Sequence, residues 1–158
     1  MSLYMCGRVV RSAGFIVAAL LWVSPLLAAE YKTGVNVQLI KRSTTTGNGQ
    51  KIVYPVTDNP EVTAMTVEIL PGMETGWHTH LVPVYGYVMA GSLTVELEGG
   101  KELTCSEKDA IIEVVNSAHN GKNKGTQPVK LVVFYIGAEG KPNVNKTPPP
   151  TGHEGSHP

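Results

Sequence analysis

The chain has 158 residues, of which 42% are hydrophobic and 16% are charged. A chain of this length supports one hydrophobic core and is too short for two ordinary domains. Its formal net charge is zero at pH 7, and its lysines and arginines form no cluster. This charge pattern argues against nucleic acid and acidic membrane surfaces as partners.

The N-terminal segment has the three-part layout of a secretory signal peptide. Arg8 and Arg11 precede a short apolar run, Phe15–Val23, and the small pair Ala28-Ala29 follows. The apolar run is shorter than the roughly 20 residues that a membrane-spanning helix requires. We therefore expect residues 1–29 to be a cleaved signal peptide and the mature protein to be periplasmic or secreted, without membrane attachment.

Short runs of alternating apolar and polar residues predict β-strands along the rest of the chain. The final run is almost continuously apolar, which predicts a strand that is buried on both faces. The predicted strands cover residues 35–40, 51–56, 65–69, 93–97, 101–105, 109–115 and 129–136.

These strands recur about every ten residues between glycine and proline turns, and no helical period appears after the leader. The pair Gly99-Gly100 closes the clearest hairpin because both residues accept positive φ. The pattern predicts an all-β fold, an antiparallel sandwich or barrel. We expect one domain over residues 30–140, followed by a disordered tail rich in proline, glycine and histidine over residues 141–158.

Three of the five histidines, His78, His80 and His119, lie in the strand-rich region, and His153 and His157 lie in the tail. Residues two apart in a strand share a face, so His78 and His80 present adjacent imidazoles. With His119 on a neighbouring strand, three nitrogens suit one divalent ion of iron, zinc, manganese, nickel or copper. The alternative is an exposed strand end without a ligand. The tail histidines have no preorganised geometry, so we place them outside the site.

Two groups of residues fall at the spacing of known motifs. The first group is Gly72, His78, His80 and Gly91, and the second is Asp109, His119, Gly121 and Asn123. From about Val35 to Gly140 the chain resembles a small single-domain member of the cupin superfamily. The resemblance implies a cupin-type antiparallel β-barrel (double-stranded β-helix, or jelly roll), one bound metal ion and a small-molecule ligand or substrate. It also implies a homodimer, formed by pairing of the free edge of the strand over residues 35–40.

The chain departs from the family pattern at the position of the usual glutamate ligand, which is Val84. The neighbouring Tyr85 is a candidate substitute, but strand alternation directs it to the opposite face if Val84 points inward. Gly86 shares the inward face of Val84 and is expected to leave open pocket space beside the metal. In the second motif Lys108 and Asn116 replace glycines, which leaves the loop geometry open.

Two function classes remain open. Three-histidine centres occur in some cupin-type oxygenases, so the resemblance allows a metal-dependent enzyme that acts on a small organic molecule. A non-catalytic module that binds a metal or small ligand fits the same residues. Glu74 and Glu113 are the nearby acids that can serve as a base or support an imidazole, although solvated strand carboxylates are the simpler interpretation.

Cleavage after the leader predicts that intact-mass analysis of the exported protein finds a chain that begins near Glu30. A mass that still includes residues 1–27 contradicts the signal-peptide interpretation.

Overall fold

The computed structural model describes residues 33–151. The chain divides into two compact units, residues 1–37 and 38–158, and only residues 33–37 of the first are described. The predicted signal peptide, His153 and His157 lie outside the described residues. Within residues 33–151 there is no helix whose length and apolar character would allow it to cross a membrane.

Nine β-strands form the regular structure of the described residues. They are β1 (Pro60–Ile69), β2 (His78–His80), β3 (Val84–Ala90), β4 (Ser92–Leu97), β5 (Glu102–Ser106), β6 (Ala110–Ile112), β7 (His119–Lys122), β8 (Val129–Ala138) and β9 (Val144–Lys146).

The strands form two antiparallel sheets that share one hydrophobic core. One sheet has the order β1-β8-β3-β6, and the other has the order β5-β4-β7-β2-β9. In β2, β3 and β8 buried residues alternate with less buried ones, as the period of two requires. This arrangement confirms the predicted all-β fold. The buried core residues are Ile69, Val82, Val84, Val88, Leu93, Val95, Leu97, Ile111, Val114, Val129, Leu131, Val133 and Tyr135.

The predicted hairpin is confirmed, because β4 pairs with β5 across Gly99-Gly100. The prediction that the last long strand is buried on both faces is wrong. In β8 buried and more exposed residues alternate, and Lys130 and Phe134 are exposed. Only the inner face of β8 packs on the core. Its other face belongs to the outer surface of the sandwich, where apolar residues can remain exposed.

The predicted first strand, residues 35–40, is not formed. Its side chains Val35, Val37 and Leu39 are all more than half exposed. A strand needs a hydrogen-bonded neighbour, and no described strand pairs with this segment. Residues 51–56 likewise form no strand beyond a bridge between Thr45 and Lys51. Dimerisation through residues 35–40 stays a prediction, which light scattering at working concentration tests.

Part of the predicted disordered tail is ordered. Val144–Lys146 forms β9, which pairs with β2 in register from His78↔Lys146 to His80↔Val144. All three β9 side chains are exposed, so its place depends on backbone hydrogen bonds rather than on apolar burial. Composition alone therefore gave the wrong result for these residues, while the outer domain boundaries stay a prediction.

The loops of the second motif keep a glycine-like backbone without glycine. Lys108 has φ of 73° and Asn116 has φ of 54°, both in the left-handed region. The side chain of Asp109 supports the first of these turns by accepting a hydrogen bond from the Ser106 N–H at 2.8 Å. Both positions therefore hold a backbone conformation that favours glycine, although neither residue is glycine.

Gly91, between β3 and β4, combines a positive φ of 80° with close packing. A Cβ there would lie 2.7 Å from the carbonyl oxygen of Pro128, whereas a Cβ at Gly99, with φ of 89°, meets nothing within 4 Å. Gly99→Ala should cost about 1–2 kcal/mol from backbone strain alone. Gly91→Ala should cost more, because backbone atoms of a neighbouring segment must also move. Urea unfolding of both variants measures the difference, and equal losses contradict this account.

Candidate metal centre

Two neighbouring strands bring three histidines into the sandwich interior. His78 and His80 lie at the two ends of β2, and His119 begins β7, directly opposite His78 in the register. The exposed fractions of His78, His80 and His119 are only 8%, 3% and 2%. The alternative of an exposed strand end is therefore wrong, because both β2 histidines face the core.

The three imidazoles converge on one point. One nitrogen from each ring can be chosen so that all three lie within 4.8 Å of one another. The ring centroids of His78 and His119 are 4.3 Å apart, and those of His80 and His119 are 4.8 Å apart. Three imidazoles this close form a set that is able to hold a metal ion.

Backbone carbonyls orient all three rings. The Nδ1 atoms of His78, His80 and His119 lie 2.8, 3.2 and 2.9 Å from carbonyl oxygens. A carbonyl only accepts, so each Nδ1 carries the proton and each Nε2 keeps its lone pair. The accepting carbonyls belong to Gly76, Asn143 and Ser117, in the same order.

The free Nε2 lone pairs show whether these residues fit a metal ion. His119 Nε2 is buried and has no hydrogen-bond partner within residues 33–151. A buried acceptor without a partner is costly, and a transition-metal ion would satisfy it. The three-nitrogen donor set suits iron, zinc, manganese, nickel or copper, so the residues fit the predicted divalent ion.

The imidazoles are neutral at physiological pH. Burial, with a smaller contribution from the neighbouring imidazoles, lowers the pKa of His78 to about 4 and that of His80 to about 3. Burial also lowers the pKa of His119. Because metal and proton compete for the same lone pair, these shifts keep the nitrogens available to a metal well below pH 7.

Of the two acids that the sequence singled out, only Glu113 reaches the histidines. Its Oε2 atom lies 3.8 Å from His119 Nε2, and its side chain is 12% exposed. Burial raises the pKa of Glu113 to about 7, and a cation nearby would act in the opposite direction. Glu74 is instead half exposed at the surface, 3.6 Å from the Lys122 ammonium.

The histidines face a small cavity beside a larger one. The small cavity measures about 60 Å³, room for one or two waters, and Val84 lines it with the three histidines. The larger cavity measures about 380 Å³ and is lined by Val95, Leu103 and Cys105 among others. Glu113 lines both cavities, so it stands at their boundary.

The other predicted pocket residues lie elsewhere. Tyr85 alternates away from Val84 to the opposite face, where burial, with Tyr54 beside it, raises its pKa to about 12. A Cβ at Gly86 would contact Ile111 and Val133 at 3.5 Å, so Gly86 leaves no open space beside the histidines. Neither residue lines the small cavity.

Sequence reasoning missed two residues of the site. Tyr135 lines the cavity, and its ring centroid lies 5.6 Å from that of His80. The alternating pattern of β8, which places Tyr135 on the inward face, could have identified this residue from the sequence. Asn143, whose carbonyl faces His80, had no signal, because any residue supplies a backbone carbonyl.

Residues 65–135 match the family model of the cupin domain. The matched segment begins in β1 and ends in β8, and it contains all three histidines. The chain therefore has a cupin domain, as its two motifs predicted. No curated protein sequence matches the chain.

Solved structures with a similar fold include three with TM-scores of 0.48. The DMSP lyase DddQ from Ruegeria pomeroyi is 17% identical over 54% of this chain and 43% of its own. An uncharacterised double-stranded β-helix protein from Klebsiella pneumoniae is 17% identical over 59% of this chain and 88% of its own. An oxalate decarboxylase from Lactobacillus farciminis is 18% identical over 54% of this chain and 26% of its own. The aligned part thus spans less than half of the lyase and of the decarboxylase.

The contact between His80 and Asn143 predicts that the C-terminal segment supports metal binding. A chain that ends at Gly140 lacks the Asn143 carbonyl and β9, so its Zn²⁺ affinity should fall about 10- to 100-fold. A chain that ends at Thr151 keeps both and should bind like the full chain. Competition with a chromophoric chelator measures the affinities, and equal values for the two truncated chains contradict the prediction.

Proposed function

We propose that this cupin binds one divalent transition-metal ion through the Nε2 atoms of His78, His80 and His119. The observation that carries the proposal is the set of three Nδ1–carbonyl contacts, which leaves the Nε2 lone pairs free in three buried rings whose ligand nitrogens lie within 4.8 Å of one another. The low pKa values of His78 and His80 support it, because no proton has to be displaced near pH 7.

We further propose that the metal site acts on a small organic molecule. A divalent ion held by neutral imidazoles supplies a Lewis acid with open positions and, if it is redox-active, a centre for dioxygen chemistry. The cavity of about 380 Å³ is within the size range of small-ligand sites, and its walls combine apolar side chains with Thr46, Cys105 and Glu113. Such walls exclude water from one side of a bound molecule and hold its polar groups at a few points.

A non-catalytic module that binds metal is the second candidate. The observation that favours it is the size of the cavity at the histidines, about 60 Å³, which admits water but little else. Under this proposal the protein holds the ion, and the larger cavity has no reactive role.

We also propose that the protein works outside the cytoplasm. The layout of its first 29 residues supports this, with two arginines, an apolar run and a small-residue pair in order. In that setting the site would take its metal after export or carry it through export in the folded state.

Single substitutions test the metal site. His78→Ala, His80→Ala and His119→Ala should each lose stoichiometric metal, because two imidazoles cannot fix the geometry of the ion. Each should also abolish the rise in melting temperature that metal gives the unmodified protein. Elemental analysis of purified protein and thermal unfolding with and without added metal measure both effects.

His153→Ala and His157→Ala are the matched controls and should change neither quantity. One tightly bound metal in all three single variants would refute the assignment. Oxygen uptake with small thiols and diketones then separates the two candidates, since turnover that is lost in His119→Ala supports the enzyme. A fully loaded protein without turnover on these compounds favours the binding module.

A further inference from the structure

Glu113 and Val84 occupy facing positions on neighbouring strands. β3 and β6 pair in the register Tyr85↔Ile112, so the next pair along is Val84 and Glu113. The Glu113 N–H donates to the Val84 carbonyl at 3.0 Å. Side chains of directly opposed residues share one face, and both of these line the cavity that the three histidines face.

The Glu113 carboxylate lacks a conventional cationic partner. Its side chain is 12% exposed, and the basic side chain within 4.0 Å of it in the described residues is His119, whose neutral Nε2 lies 3.8 Å away. Neither a lysine nor an arginine of residues 33–151 lies within 4.0 Å of it. A charge taken out of water is retained at low cost only when a cation or hydrogen bonds compensate it.

We propose that Glu113 is a fourth metal ligand, and that positions 84 and 113 reach the same coordination position from adjacent strands. This inference rests on the proposed three-histidine site. Two donors that each lie about 2.1 Å from one ion at a tetrahedral angle are about 3.4 Å apart, close to the Glu113–His119 separation. The carboxylate lies on the His119 side of the imidazole set, so it would approach an ion held there from that side.

A ligating Glu113 changes the charge of the site. Three neutral imidazoles leave a divalent ion at +2, and one carboxylate reduces this to +1 while the ion compensates the buried anion. The carboxylate and the ion therefore stabilise each other. Binding should be tighter than three imidazoles alone provide, and one fewer position remains open to an outside molecule.

The test compares metal affinities in four forms of the protein: unmodified, Glu113→Gln, Val84→Glu, and the double variant Val84→Glu/Glu113→Gln. Zn²⁺ affinity is measured by chelator competition, and Co²⁺ absorption reports the coordination. Glu113→Gln keeps the size of the side chain and should weaken Zn²⁺ binding at least about 10-fold. Its Co²⁺ spectrum should also change. The double variant should recover most of the lost affinity, because its carboxylate now comes from β3.

Two controls separate ligation from folding and from general charge effects. Glu74→Gln removes a half-exposed carboxylate that contacts Lys122, and it should leave Zn²⁺ affinity unchanged. Metal-free Glu113→Gln should unfold in urea no more easily than the unmodified protein at pH 8, because it loses a buried negative charge. A weakened Zn²⁺ affinity in such a folded variant then reports a lost ligand.

The outcomes also distinguish this inference from the proposed function. Unchanged affinity and an unchanged Co²⁺ spectrum in Glu113→Gln, with metal lost in His119→Ala, overturn Glu113 as a ligand and leave the three-histidine site standing. Glu113 would then act on bound water or substrate as a base. A double variant as weak as Glu113→Gln overturns the equivalence of positions 84 and 113. Normal metal binding in His119→Ala refutes the proposed site itself.

Discussion

The candidate centre depends on three hydrogen bonds from histidine Nδ1 atoms to backbone carbonyls. Each bond fixes a tautomer, and together they direct three Nε2 lone pairs into one small cavity. The acceptors are main-chain atoms of Gly76, Ser117 and Asn143, so their positions are set by the fold rather than by side-chain rotamers. The conformations of two turns and of the C-terminal segment therefore determine how the three imidazoles are oriented.

Side-chain periodicity explains what the sequence could reveal. The spacing of His78 and His80 placed two imidazoles on one face, and the alternation in β4 and β5 predicted their hairpin correctly. These features are local, and a period of two is sufficient to find them. The same period in residues 35–40 gave a strand that is not formed, because pairing requires a partner that no local pattern specifies.

The features that the sequence could not reveal are non-local. The carbonyl of Asn143 faces His80 across 63 positions of the chain, and it carries no residue-specific signal. Glu113 could be named as a nearby acid, but its position opposite Val84 required the register of β3 and β6. The composition of the tail predicted disorder, but residues of β9 form a strand whose side chains are exposed and whose backbone is paired. Sheet register and backbone acceptors thus account for most of the difference between expectation and structure.

The loops around Lys108 and Asn116 have a consequence for how such proteins are recognised. Both residues hold a left-handed backbone where the family pattern has glycine. A sequence pattern that requires glycine at these two positions would not match this chain. A structural pattern that requires a positive φ there would match it. The main-chain conformation at these two turns is therefore compatible with residues other than glycine.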